Sequence, residues 1–168
     1  INALVQDRFA VARQEAIEAE VRLTNAPRNA PLPPLLGVPC TVQELISVAG
    51  MPQTCGSVYR WDSIAQTDAA VVSRLKSAGA IVLGVTNIAE ASLWLESNNL
   101  IYGRTVNPWD PLHSVGGGSG GECALIAAGG SPIGVGAGLA SGVRIPASFC
   151  GVVAHQPTAN LVPSTGLW

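Results

Sequence analysis

Ala78-Gly79-Ala80-Ile81-Val82-Leu83-Gly84-Val85-Thr86-Asn87 decides the fold class. Ala80 to Val85 is an unbroken apolar run with β-branched residues, the pattern of a strand buried on both faces, and it ends at the polar pair Thr86-Asn87. Just before it, Ala69 to Ser77 has helical composition, with Thr67-Asp68 as the expected N-cap and Gly79 as the closing residue. A helix running directly into a buried strand predicts an α/β layer around a mainly parallel or mixed sheet.

Working outward, Leu36 to Leu45 predicts a second short buried strand that runs into a turn. Gln6 to about Leu23 predicts an amphipathic helix, with Phe9, Ala12, Ala16 and Ala19 to Val21 near helical spacing. Pro27, Pro31, Pro33 and Pro34 mark the intervening segment as a loop. Toward the C-terminus, Asn98 to Pro111 reads as a polar loop, Glu122 to Ala128 as a helix and Pro132 to Val135 as a further strand. Gly136 to Gly142 is a second small-residue stretch, and Arg144-Ile145-Pro146 opens another helix. No repeat or linker divides the chain, so residues 1–168 are expected to form one domain.

Composition narrows the function classes. The chain is 48% hydrophobic and 12% charged, with 19 glycines and a net charge of -2. A charged fraction near half the usual quarter argues for a packed core and against disorder. There is no basic footprint for nucleic acid, and no apolar run nears the roughly 20 residues that span a bilayer. Ile1 falls in a helix lead-in and Trp168 just after a turn, so the chain is expected to be cut at both ends. Cys40, Cys55, Cys123 and Cys150 lie far apart without metal-ligand spacing and are expected to be free, buried thiols. No metal site is expected. Lys76 is the one lysine, against eight arginines.

The run Gly116-Gly117-Gly118-Ser119-Gly120-Gly121 before a helix suits three chemistries and one bland role. A phosphate loop requires Lys and Ser or Thr after the glycines, and Glu122 follows instead. A dinucleotide loop drawn from Gly136-x-Gly138 has Ser141 in its third place and no acidic residue at the right distance. Acyl transfer would use one loop for a nucleophile and backbone donors, and the other to relay protons. On glycine content alone, tight backbone packing explains both stretches.

The flanking residues carry a resemblance. Gly37-Val38-Pro39-Cys40-Thr41-Val42-Gln43-Glu44, the strand from Ala78 to Asn87 with Glu90, Tyr102-Gly103-Arg104-Thr105-Val106-Asn107-Pro108-Trp109-Asp110, Val115 to Glu122, and Gly134 to Gly151 resemble the successive motifs of the amidase-signature family. Trp94 to Asn99 and Gly121-Glu122 are closest to its fatty-acid amide hydrolase group. The resemblance covers about the first third of such an enzyme. It implies an amidase-signature core, a mixed central sheet flanked by helices, truncated here. It further implies hydrolysis of an amide C–N bond in a small or lipid-like amide, without metal or organic cofactor. A partner chain or a missing C-terminal part is expected to cover exposed core.

In this family a lysine takes a proton from a bridging serine held in a cis peptide, which takes one from the serine nucleophile. By motif position the lysine falls on Gln43, the bridging serine on Gly118 and the nucleophile on Gly142. The resemblance places the oxyanion-hole backbone at Leu139, Ala140, Ser141 and Gly142, with Ser119 and Arg144 as auxiliary residues. Gln accepts no proton at neutral pH and Gly has no side-chain oxygen, so the triad as written does not hydrolyse. Ser141 would need a one-residue slip to act, and His113 and His155 match no base position. Two readings stand: a pseudoenzyme kept for binding or inhibition, or a chain that truly carries Lys and Ser where the letters read Gln and Gly. Gln156 stands for a family lysine too, and Gly138 and Ala137 likewise stand for larger residues.

Overall fold

β3 (Ile81–Thr86) sits inside a four-stranded sheet of order β1-β3-β2-β6, in a computed structural model that describes residues 1–138 and 142–168. β2 (Pro39–Gln43) runs parallel to β3, with Cys40 beside Val82 and Gln43 beside Thr86, and a register shift between Cys40 and Val42. β6 (Gly134–Val135) lies parallel on the far side of β2. β1 (Leu4–Asp7) pairs antiparallel with β3, which makes the sheet mixed. β4 (Asn98–Asn99) and β5 (Gly103–Arg104) form a separate antiparallel pair inside the segment expected to be a loop.

The pleat of β2 sets the layers, because alternate residues face opposite ways. Cys40 and Val42 join Val72 of α2 (Ala70–Ser77), Val82 and Val85 in the larger apolar cluster. Thr41 faces the other way, onto Glu122 of α3 (Gly120–Ala127). Cys123 and Ala124 of α3 pack with Ala147 and Cys150 of α4 (Arg144–Cys150) in a second cluster. Helices thus cover both faces of the sheet. Each fully buried valine contributes about 1.5–3 kcal/mol.

Three expectations need correction. The first helix, α1, is Phe9–Asn25, and Gln6 and Asp7 belong to β1. Hydrogen bonding to β3 outweighs helix-forming composition there. Within α1 only Ala12 is buried, while Ile17 and Val21 are more than half exposed, so its apolar residues do not all turn inward. Asp68 does not cap α2. Its Oδ1 accepts from the Ala49 amide at 2.9 Å and its carboxylate pairs with Lys76, leaving Ala69 at the N-cap. Gly79 does close α2, at φ +95°, where a Cβ would lie 2.7 Å from Leu36 Cα.

Candidate functional site

Ligand sites in parallel sheets form beyond the carboxyl ends of the strands, and here those ends are Gln43 and Thr86. Gln43 is fully buried on the α3 face of β2. Its Oε1 accepts from Ser119 Oγ at 2.9 Å and from the Ala137 amide at 2.5 Å. A backbone N–H can only donate, so this contact fixes which end of the carboxamide is oxygen. The opposite end, Nε2, points to Ser92 Oγ at 3.4 Å. Ser119 occupies the N-cap of α3 without capping it.

The structure brings positions 43, 118 and 142 to one place. The Ser119 amide donates to Gly142 O at 2.8 Å. A Cβ at Gly118 would lie 2.9 Å from Gly142 Cα and 3.1 Å from Ser92 Oγ, and Gly118 has φ +66°. A Cβ at Gly142 would lie 2.8 Å from Gly138 Cα. The two glycine stretches therefore meet backbone to backbone, in the volume that side chains at 118 and 142 would need. Among the described residues every peptide is trans, so the cis bond implied by the resemblance is not found. Leu139, Ala140 and Ser141 lie outside the described residues, so of the expected oxyanion-hole backbone only Gly142 is placed. Arg144 opens α4 with an exposed side chain.

Around this centre lie groups that the sequence did not single out. Ser92 and Ala91 take positive φ, 57° and 50°, and so does Cys55, 57°. The Ala91 amide donates to Cys55 O at 2.7 Å, joining the two strained segments. Such outliers cluster where a backbone is held for function, and no residue type announces them. Beside Gln43, the buried Glu44 carboxylate accepts from the Thr54 and Cys55 amides and from the Tyr102 hydroxyl at 2.9 Å, which braces this loop. Burial pushes the Cys55 thiol up to about 12, helped by the Glu44 charge and partly offset by Arg60.

Glu122, in the first turn of α3, is the other buried acid. It bonds Thr41 Oγ1 and accepts from Thr86 Oγ1 at 2.8 Å. Burial outweighs both hydrogen bonds and lifts its carboxyl to about 7. His113 is exposed and paired with Asp110 at 2.8 Å, and His155 is exposed too, whereas Gln43 and Ser119 are buried. No group of three potential metal-ligating residues exists among the described residues. What the arrangement offers chemically is hydrogen bonding: a buried carboxamide and the buried Ser119 hydroxyl, with the half-buried Ser92 hydroxyl and backbone beside them.

Comparison with known proteins gives a consistent result. The family model described as Amidase matches residues 1–168. Fatty-acid amide hydrolase 2 of Homo sapiens is 46% identical over 99% of this chain, which corresponds to 32% of that protein. An acylamidase of Rhodococcus erythropolis is 43% identical over 98% of the chain and 34% of its own length. A crystal structure of an amidase superposes with a TM-score of 0.89 at 34% identity, covering 99% of this chain and 37% of that one. The chain thus spans about a third of the length of the relatives it matches.

Proposed function

The chain belongs to the amidase family, and on that premise we propose that it binds amides without hydrolysing them. The observation that carries this reading is the pairing of Gln43 Oε1 with the Ala137 amide. The carboxamide oxygen accepts that donor, but unlike the neutral lysine of the family it has no basic amine with which to take a proton. Gln43, Gly118 and Gly142 then act as the family's triad positions with the reagents removed. Ser92, whose hydroxyl has only the 3.4 Å contact with Gln43 Nε2 among the described residues, is the group offered to an amide or lipid-like amide, with Ser119 held between Gln43 and Gly142. The oxyanion-hole assignment to Leu139, Ala140, Ser141 and Gly142, and the auxiliary role of Arg144, belong to the same proposal.

The test is a fluorophosphonate probe with intact-mass detection, run beside calorimetric titration of a primary amide. The expected result is heat of binding with no covalent adduct. An adduct on residue 142 sinks the reading. The second reading, lysine and serine at these positions, is favoured by the direction of the departures, since each of the six named changes trims or neutralises a side chain. Peptide masses spanning residues 43, 118 and 142 discriminate the two.

Partners follow from exposed apolar side chains. Leu93, Trp94 and Leu95 stand out beside the site, where Gly117 packs against the Trp94 and Leu95 backbone. Ile17 and Val21 of α1 are more than half exposed as well, and large apolar side chains left open in this way suit a covering surface. We expect further polypeptide, in the same chain or another, to cover them. Light scattering of the purified 168-residue chain is the check, and a monodisperse 17.2 kDa species would count against the expectation.

A further inference from the structure

Glu122 is the third residue of α3 and reaches two strands at once: Thr41 on β2 and Thr86 on β3. Gly134 of β6 presses so close to its carboxyl that no side chain fits there. The ionisable groups on the elements packed around α3 are Cys40 of β2, Cys123 of α3 itself, Asp7 of β1, and Arg144 and Cys150 of α4; β3 and β6 carry none. The Glu122 charge is felt at Cys40 and Cys123, whose buried thiols stay neutral at ordinary pH. The same first turn of α3 begins at Ser119, whose carbonyl accepts the Cys123 amide at 3.0 Å and whose hydroxyl holds Gln43.

We propose that Glu122 is a proton-dependent latch: protonated, it ties the first turn of α3 to β2 and β3, and ionised, it loosens that turn and with it the Ser119 hydroxyl on Gln43. The chemistry is that of hydroxyl geometry. Both threonine hydroxyls lie within hydrogen-bond reach of the carboxyl, and in its neutral form it can donate its own proton to one while accepting from the other. A carboxylate can only accept, and it carries a full charge into a dry junction. The dipole at the start of α3 favours the anion, as do the threonine hydroxyls, but burial opposes it more strongly. Ionisation is therefore reluctant, and it costs the junction stability. The latch controls the site assigned above to amide binding, yet it is read without any ligand, so its failure and the failure of that reading are separate outcomes.

The direction in pH follows from linkage. The folded state holds the Glu122 proton more tightly than the unfolded chain does, so its contribution is fully present below about pH 4.5. It is lost as pH rises toward about 7, and it does not change above that. The experiment is amide hydrogen exchange at Cys123 in the intact chain between pH 4.5 and 8, corrected for intrinsic exchange rates, for the wild type and Glu122→Gln. The wild type should lose protection on the order of 10²-fold across that window. Glu122→Gln keeps a donor and an acceptor for the two threonines and should stay flat. Constant protection in the wild type, or an equal loss in the variant, overturns the latch. Should the variant fail to fold, the side-chain carbonyl resonance of Glu122 in the wild type decides: a titration midpoint below pH 5.5 overturns it, and one near 7 supports it.

Discussion

Ser119 donates its hydroxyl to Gln43 Oε1 at 2.9 Å, although it sits at the N-cap of α3, where a serine ordinarily bonds its own helix. Glu122 stands three residues on, so the pair spells the S-x-x-E capping box. Neither side chain closes that box, since Glu122 has turned to Thr41 and Thr86. A missing cap costs about 1 kcal/mol, and here both capping groups are spent on the ends of β2 and β3 instead. Local rules are broken in this way where a site is being held. The Ser119–Gln43 contact is therefore the place to probe first.

Ser119→Ala removes one donor to Gln43 but leaves the Ala137 amide in place, and should lower stability by about 1 kcal/mol. Gln43→Ala strands the buried Ala137 N–H as well and opens a cavity, for a loss of about 2–4 kcal/mol. If the contact is real, the double variant loses less than the two single losses together. Urea unfolding of the four proteins measures this. Strict additivity would mean that the two groups do not interact.

Gly142→Ser restores the residue type the family resemblance implies, yet it should not restore reactivity. Its Cβ would meet Gly138 Cα at 2.8 Å, which is backbone against side chain with no flexible end to move. The expected outcome is a loss of about 1–3 kcal/mol from overpacking, with no fluorophosphonate adduct by intact mass. Gain of labelling by this single change would show that the volume is open and the base supplied from elsewhere.

How far the residues alone announced this arrangement differs by element. β3 and α2 were legible because the apolar run, the helical composition and Gly79 agree, although the expected cap at Asp68 did not form. β1 was not, since Leu4-Val5-Gln6-Asp7 is short, half polar and continuous with helical composition, and only its pairing with β3 makes it a strand. The convergence of 43, 118 and 142 was legible through motif order, not through the chemistry of Gln and Gly. Ser92, Glu122 and the positive φ at Cys55 and Ala91 were hidden for another reason. Glu122 finds Thr41 and Thr86 at separations of 81 and 36 residues, and left-handed backbone at a non-glycine residue leaves no compositional trace.

The four cysteines were expected to be free and buried, and they are. Burial raises Cys40 and Cys150 to about 11 and Cys55 and Cys123 to about 12, with nearby acids adding to the first, third and fourth of these. At pH 8 the thiolate fraction is then about 10⁻³ or lower, and all four residues are buried. Iodoacetamide should leave the native protein unmodified for an hour and add four groups in guanidinium chloride. Rapid native labelling of Cys55 would mean that its loop opens far more readily than the Glu44 bracing implies.

Asp68 gives the opposite pH signature to Glu122. Burial resists its ionisation, but the hydrogen bonds from Lys76 and the Ala49 amide, with the Lys76 charge, outweigh that and hold its carboxyl below the usual range. The unfolded chain therefore takes up this proton first as pH falls. The stabilisation is present above the ordinary carboxylate pKa of about 4 and disappears as acid carries the solution through the lower folded value. Both partners keep some water contact, so screening limits the effect to about 1 kcal/mol or less. Asp68→Asn should thus lower Tm slightly at pH 7, where the wild-type pair is intact, and the two proteins should converge near pH 2. The Lys76→Met variant should repeat the convergence, because it removes the same charge from the other side. Parallel Tm curves for wild type and Asp68→Asn from pH 7 to pH 2 would show that the bonds from Lys76 and Ala49 contribute nothing in solution.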